Sequence, residues 1–322
     1  MTGRGREAGR TSTLFLLSLL AAALLSGCAK AGGVDRSVEA SSGSTSGGPT
    51  QTSWESTSGG VPESTVGVTS RIKGDLAGMG DASSGDPFVE ATEQSGGSGY
   101  DADTVLAVRY GDQVDYERAV IDLGTGEEPA GTVPEWTLVD PRDEGLLRVN
   151  LPSASATCVS DGTFGDGLLE SFHVVRAPEG GMFVDFFARR AFLYRVVGLD
   201  DPARLVVDFK PTGAELKTPI PAKGGDTVLV EPRPKTRISD PLTVSGYSRN
   251  FEAADTITLT GPHGKVLVRK TVRSNDWDHT WGYFEATLDL PPFTGRGTLK
   301  VGIKSAHDGS FEGVEIPVRA GR

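Results

Sequence analysis

An all-β chain of two sandwich domains behind a long polar tether is the architecture that this sequence predicts, and three observations predict it. From position 104 onward, short apolar runs recur with a period of two, the spacing that puts alternate side chains on one face of a strand. Clusters of Gly, Pro and Asp separate those runs, as turns separate the strands of a sandwich or barrel. Before them, residues 31–100 hold 14 Ser, 15 Gly and 7 Thr and show no apolar period at all.

A secretory signal is expected over 1–27. Arg4, Arg6 and Arg10 make a basic start, and 14–25 is an apolar run broken only by Ser18. Such a run is shorter than the roughly 20 residues a membrane-spanning helix needs, and small residues follow it, as at a cleavage site. The ending Leu25-Ser26-Gly27-Cys28 resembles the bacterial lipobox. That resemblance implies cleavage between Gly27 and Cys28 and acylation of Cys28. A diacylated cysteine anchors stably where a single chain is marginal. The expected location is extracytoplasmic, on the outer face of the cell membrane.

Residues 28–99 are the expected tether. Ser, Gly and Thr there bury too little apolar surface to offset the entropy of ordering, so disorder is expected. A flexible coil of this length spans about 45 Å in root-mean-square terms, enough to hold a folded part away from a membrane.

The first β-domain is expected over 100–211. Its candidate strands are 104–110, 116–123, 146–151, 170–176, 182–188, 192–199 and 204–209, and 161–169 reads as a Gly-rich loop. Phe192-Leu193-Tyr194-Arg195-Val196-Val197-Gly198-Leu199, followed by Arg204-Leu205-Val206-Val207-Asp208-Phe209, resembles the close of an AMIN-type domain. Asp115-Tyr116-Glu117-Arg118-Ala119-Val120-Ile121-Asp122-Leu123 is similar to the first strands of the variant found in actinobacterial lipoproteins. The resemblance implies a β-domain that binds or localises to peptidoglycan, and no ligand residues come with it. Arg204 and Asp208 bracket the last strand and are expected to pair across a neighbour.

Residues 212–225, with Pro219, Pro221, Gly213, Gly224 and Gly225, read as a semi-rigid linker. The second β-domain then covers 226–322, with candidate strands at 227–230, 242–246, 256–260, 266–271, 282–288, 297–304 and 312–318. Seven short strands in such a length suit an immunoglobulin-like sandwich. Ser239-Asp240-Pro241-Leu242-Thr243-Val244-Ser245-Gly246, Asn250-Phe251-Glu252-Ala253, Trp281-Gly282-Tyr283-Phe284 and Val314-Glu315-Ile316-Pro317-Val318 resemble, in that order, the immunoglobulin-like domain of bacterial spore-germination proteins. The resemblance implies a binding or scaffold module without established catalytic residues.

Charge narrows the partners. The formal net charge is −11, and 1–27 contributes +2, so the remainder carries −13. Positions 98–210 hold 20 acids against 10 bases, and 226–322 hold 12 against 13. Nucleic acid is excluded as a partner, because phosphate binding rests on Lys and Arg. The chain has two cysteines. An acylated Cys28 leaves Cys158 no cysteine to pair with, so no intramolecular disulfide is expected.

Catalytic signatures are missing from the sequence: H-E-x-x-H, G-x-S-x-G, the P-loop, G-x-G-x-x-G and C-x-x-C do not occur. No enzyme activity and no cofactor are expected. His173 reads as a strand residue beside Phe172. Asp276-Trp277-Asp278-His279 is the local concentration of candidate ligand-binding groups. A metal there would need His307 or Asp308 to come near, and aspartates two apart in a loop more often shape a turn, so no metal is expected. Trp277 is the candidate sugar-stacking surface, since CH-rich glycan faces favour aromatic rings. Trp281 is expected to fill the core beside Phe284.

The expected function is that of a non-catalytic envelope lipoprotein that binds peptidoglycan or a wall-associated partner. The alternative is a structural module pairing with other proteins of an envelope or spore-germination complex. A cryptic wall hydrolase is a third reading.

Overall fold

The structure, a computed structural model, describes residues 87–89, 93–139 and 145–321. The expected signal, Cys28 and most of the expected tether lie outside the described residues, so the signal, acylation and disorder readings are not addressed by it. The strands in chain order begin with β1 (Glu93–Gly96), β2 (Thr104–Asp112), β3 (Glu117–Thr125), β4 (Glu128–Pro129), β5 (Trp136–Val139), β6 (Leu146–Leu151) and β7 (Ala156–Thr157). There follow β8 (Asp161–Thr163), β9 (Leu169–Arg176), β10 (Met182–Ala188), β11 (Phe192–Leu199), β12 (Arg204–Pro211), β13 (Ala222–Gly224) and β14 (Thr227–Glu231). The last are β15 (Arg237–Ile238), β16 (Leu242–Ser248), β17 (Ala254–Thr260), β18 (Val266–Arg273), β19 (Trp281–Leu288), β20 (Gly295–Lys304) and β21 (Phe311–Ala320). Among the described residues no α-helix occurs, and no helix is long and apolar enough to cross a membrane.

All fourteen strands expected from period-two patterning are present. The short ones, β1, β4, β5, β7, β8, β13 and β15, were not expected. Two of them shift the expected boundaries. Strand β1 pairs with β5, and Val89 bridges to Tyr194, so the end of the stretch expected to be tether is built into a sheet. Strand β13 pairs with β14, and the Thr212 N–H donates to the Ala191 carbonyl at 3.0 Å, so the semi-rigid linker 212–225 is tied down at both ends. The region 161–169 is likewise not a simple loop. Its first residues pair with β9, and the Glu117 carboxylate accepts the backbone N–H groups of Leu168 and Leu169.

The strands form three sheets. A long sheet runs β1-β5-β6-β10-β9-β19-β16-β14-β13, with β8 also on β9. A second runs β11-β12-β3-β2-β7 with β4 on β3, and a third runs β15-β21-β20-β17-β18. The first half of the long sheet packs on the second sheet around Val105, Ile121, Leu147, Phe186, Phe192 and Phe209. Its other half packs on the third sheet around Leu229, Val244, Ile257, Phe284, Leu299 and Ile316. The halves meet at β9 and β19, paired in parallel at Val175–Trp281 and Arg176–Gly282. Two sandwiches therefore share one sheet.

Strand alternation leaves a second face on each half, and these faces are buried too. All seven residues of β10 are buried. Met182, Val184, Phe186 and Ala188 enter the first core, while Phe183 and Phe187 join Leu146, Val175, Val228, Tyr247 and Trp281 in a separate cluster between the domains. Each fully buried side chain of this size contributes about 1.5–3 kcal/mol relative to exposure, so the seam is a core in its own right. Trp281 is therefore not beside Phe284. Three residues apart on one strand, the two face opposite ways.

The seam also holds charge. Asp185, on the same face as Phe183 and fully buried, accepts Arg148 Nε and Nη2 at 2.7 and 2.8 Å. The Arg148 guanidinium lies 3.8 Å from the centre of the Phe183 ring. In the first domain, Asp208 is bracketed by Arg118 on β3 and Arg195 on β11, at 2.6 and 2.7 Å. The pairing expected of Asp208 holds, whereas Arg204 donates to the Pro202 carbonyl.

His173 sits in the seam among Phe187, Tyr247 and Trp281, with ring centroids 5.0–5.4 Å away, and its Nδ1 has no hydrogen-bond partner. Burial, with help from Lys223 and Arg249 and against Asp161, lowers its pKa from the ordinary 6.5 to about 3. Folded protein thus keeps His173 neutral while unfolded chain takes up a proton below about 6.5. The contribution to stability is complete above that pH and is lost as pH falls toward 3, at up to roughly 1.4 kcal/mol per pH unit. Urea unfolding of wild type and His173→Phe between pH 7 and 4.5 should show a steeper fall for wild type. Parallel curves would contradict the assignment.

Candidate functional site

One end of the second sandwich gathers four connections: β13–β14, β16–β17, β18–β19 and β20–β21. Between them lies an open groove of about 450 Å³, lined by Gly225, Asp226, Arg249, Phe251, Trp277 and Glu312 among others. Phe251 is 70% exposed and Trp277 37% exposed, and their rings meet edge to face with centroids 5.1 Å apart. Two large aromatic side chains in water, touching each other, form a surface that a ligand can cover with little loss of conformational freedom.

Local chemistry fixes the position of each ring. Phe251 opens a short 3₁₀ turn, Phe251–Ala253, in which Glu252 and Ala253 both have φ of 57°. Left-handed backbone at a non-glycine residue is costly and persists only where neighbours enforce it. The enforcing neighbour is a buried polar network. Asn250 Nδ2 donates to Thr227 Oγ1 at 2.9 Å and to Asp255 Oδ1 at 2.6 Å, and Ser248 Oγ donates to Asp255 Oδ2 at 2.5 Å. Burial raises the Asp255 carboxyl above its ordinary range against these two donors. Glu252 is the central residue of this turn.

Trp277 is held by Asp276. Asp276 Oδ1 accepts the backbone N–H groups of Trp277, Asp278 and His279 at 2.7, 3.2 and 3.2 Å, and Oδ2 accepts Arg176 Nε at 3.1 Å. Gly282 is needed beneath this loop, because a Cβ there would stand 2.0 Å from the Asp276 carbonyl oxygen.

The candidate residues separate accordingly. Trp277 is exposed at the groove. Asp276 is a loop organiser whose carboxylate is occupied by protein donors. Asp278 and His279 are exposed, with His279 Nδ1 3.8 Å from Asp276 Oδ1. No group of three or more potential metal ligands converges among the described residues. Patterning missed Phe251, Arg249, Asp226 and Glu312, since nothing in a strand pattern says which loops share an end of a sandwich. The available signal was an aromatic residue in a polar turn, Asn250-Phe251-Glu252.

Fold and groove define a β-sandwich module with an exposed aromatic groove built on loops. Residues 228–310 match a known family, the immunoglobulin-like domain of bacterial spore germination. The match stops just before β21, which completes the third sheet. No curated protein and no solved structure matches the chain.

Burial would raise the Asp276 carboxyl, but the His279 N–H, Arg176 and the Trp277 N–H outweigh it and hold the pKa below the ordinary 3.8. A lowered carboxylate keeps its contribution above the ordinary value and loses it as pH falls through the lower one. Exchange protection of the Trp277, Asp278 and His279 amides should therefore persist at pH 4 and fail only below it. Loss of protection between pH 6 and 4 would contradict this role for Asp276.

Proposed function

We propose that this chain is a non-catalytic cell-envelope lipoprotein that binds the glycan of peptidoglycan through the Trp277–Phe251 groove. The observation that carries this reading is the exposed aromatic pair, set beside Asp226, Arg249 and Glu312. A pyranose ring presents CH groups to an aromatic face and hydroxyls to polar neighbours, and the groove supplies both kinds of partner. The spore-germination family match supports a binding module over 228–310. The AMIN-like resemblance of 100–211 supports a wall setting. The missing catalytic motifs support the non-catalytic reading.

Sedimentation with purified peptidoglycan at several salt concentrations tests the binding. Full chain should co-sediment, modestly and with little salt dependence. Trp277→Ala and Phe251→Ala should each weaken binding about tenfold, the scale of a strong interface contact, and leave the unfolding midpoint unchanged. No sugars or peptides should be released. If a protein from envelope extract is captured and peptidoglycan is not, the module is a protein-interaction domain.

The anchor has its own test. A palmitate label should enter the wild-type protein and be lost in Cys28→Ala. Wild-type protein that takes up no label would overturn the anchor.

A further inference from the structure

We propose that the first domain sets the geometry of the recognition loop on the second, with Arg176 as the positioning residue. This rests on the reading of the Trp277–Phe251 groove as the binding surface. The segment 274–281 carries Trp277, and most of its side-chain anchors lie on the first domain. Arg176, at the end of β9, grips Asp276 Oδ2 through both Nε and Nη2 at 3.1 Å. Asn275 Nδ2 donates to the carbonyls of Arg176 and Ala177 at 3.2 and 3.0 Å. Thr280 Oγ1 donates to the Val174 carbonyl at 2.5 Å, and Trp281 Nε1 donates to Asp161 Oδ1 at 3.2 Å.

The other wall of the groove is tied in the same way. Arg249 Nη1 donates to Ser160 Oγ at 2.8 Å and pairs with Asp161 at 3.2 Å, while its guanidinium lies 4.7 Å from the centre of the Trp281 ring. Residues 160–161 and 174–177 of the first domain thus form the bed on which both walls rest. A loop with three backbone amides turned onto one carboxylate keeps that shape only while the carboxylate is held in place. Arg176 holds it through a forked, charge-assisted contact that a lysine cannot reproduce in full. Binding and domain docking are coupled through this contact, so an agent that loosens the seam also weakens the groove.

The test uses the full chain with Arg176→Ala, Arg176→Lys and, as a second route to the same loop, the near-isosteric Thr280→Val. Hydrogen exchange reads the Trp277, Asp278 and His279 amides, and peptidoglycan sedimentation reads binding. Arg176→Ala should lower protection of the three amides by about tenfold or more and weaken binding on a similar scale. Arg176→Lys should restore part of both. The global unfolding midpoint should stay near that of wild type, and Thr280→Val should act in the same direction. Protection unchanged in Arg176→Ala and Thr280→Val overturns the proposal, whatever happens to binding. Protection lost in a chain whose wild type never sediments with peptidoglycan supports the positioning role and rejects the glycan ligand instead.

Discussion

Strand β10 has no solvent face, and the rest of the molecule follows from that. Its even-numbered side chains fill the first core, while Phe183 and Phe187 would lie in water if the first domain stood alone. The buried Asp185 on the same face makes the requirement stricter. A carboxylate out of water is tolerated only when paired and hydrogen-bonded, and removing one partner of such a pair typically costs about 3–5 kcal/mol. Arg148 supplies both bonds and stacks on Phe183. Tyr247, Trp281 and Val228 then close the face from the second domain.

That closure changes what the two sandwiches are to each other. A linker between independent domains would permit relative motion by default. Here the shared sheet, the apolar seam and the packing of 212–225 remove that freedom. Three ion pairs stitch the rim: Lys223 with Glu170, Arg249 with Asp161, and Arg176 with Asp276. Their charges run across the boundary between an acidic first domain and a nearly neutral second one. The loop end that carries Trp277 is thereby supported by strands about a hundred residues earlier in the chain.

The groove illustrates how little of a site is local. Phe251 depends on a strained turn, the turn depends on Asn250 and Asp255, and that network reaches the loop beneath Trp277 through Ser248 and Ser274. The sequence marked Trp277 because it is aromatic and lies among polar residues. It marked Asp276 as a ligand candidate for the same compositional reason. Composition does not reveal that three amides and a distant arginine already occupy that carboxylate.

Residue order alone determined the strands. Period-two patterning and Gly, Pro and Asp turns placed all fourteen longer strands, since alternation is a property of neighbouring residues and needs no distant partner. The division into two sandwiches and the immunoglobulin-like character of the second were legible for the same reason. Strands of two to four residues were not, because so short a run carries no period and forms only when another strand is there to bond. Only the tertiary structure decided what covers each face. Alternation says that Trp281 and Phe284 point opposite ways, but not that both directions are buried, and His173 and Phe183 read as ordinary strand residues until the second domain is laid against them. Burial on a second face is set by contacts between residues far apart in the chain, and a local pattern holds no record of those contacts.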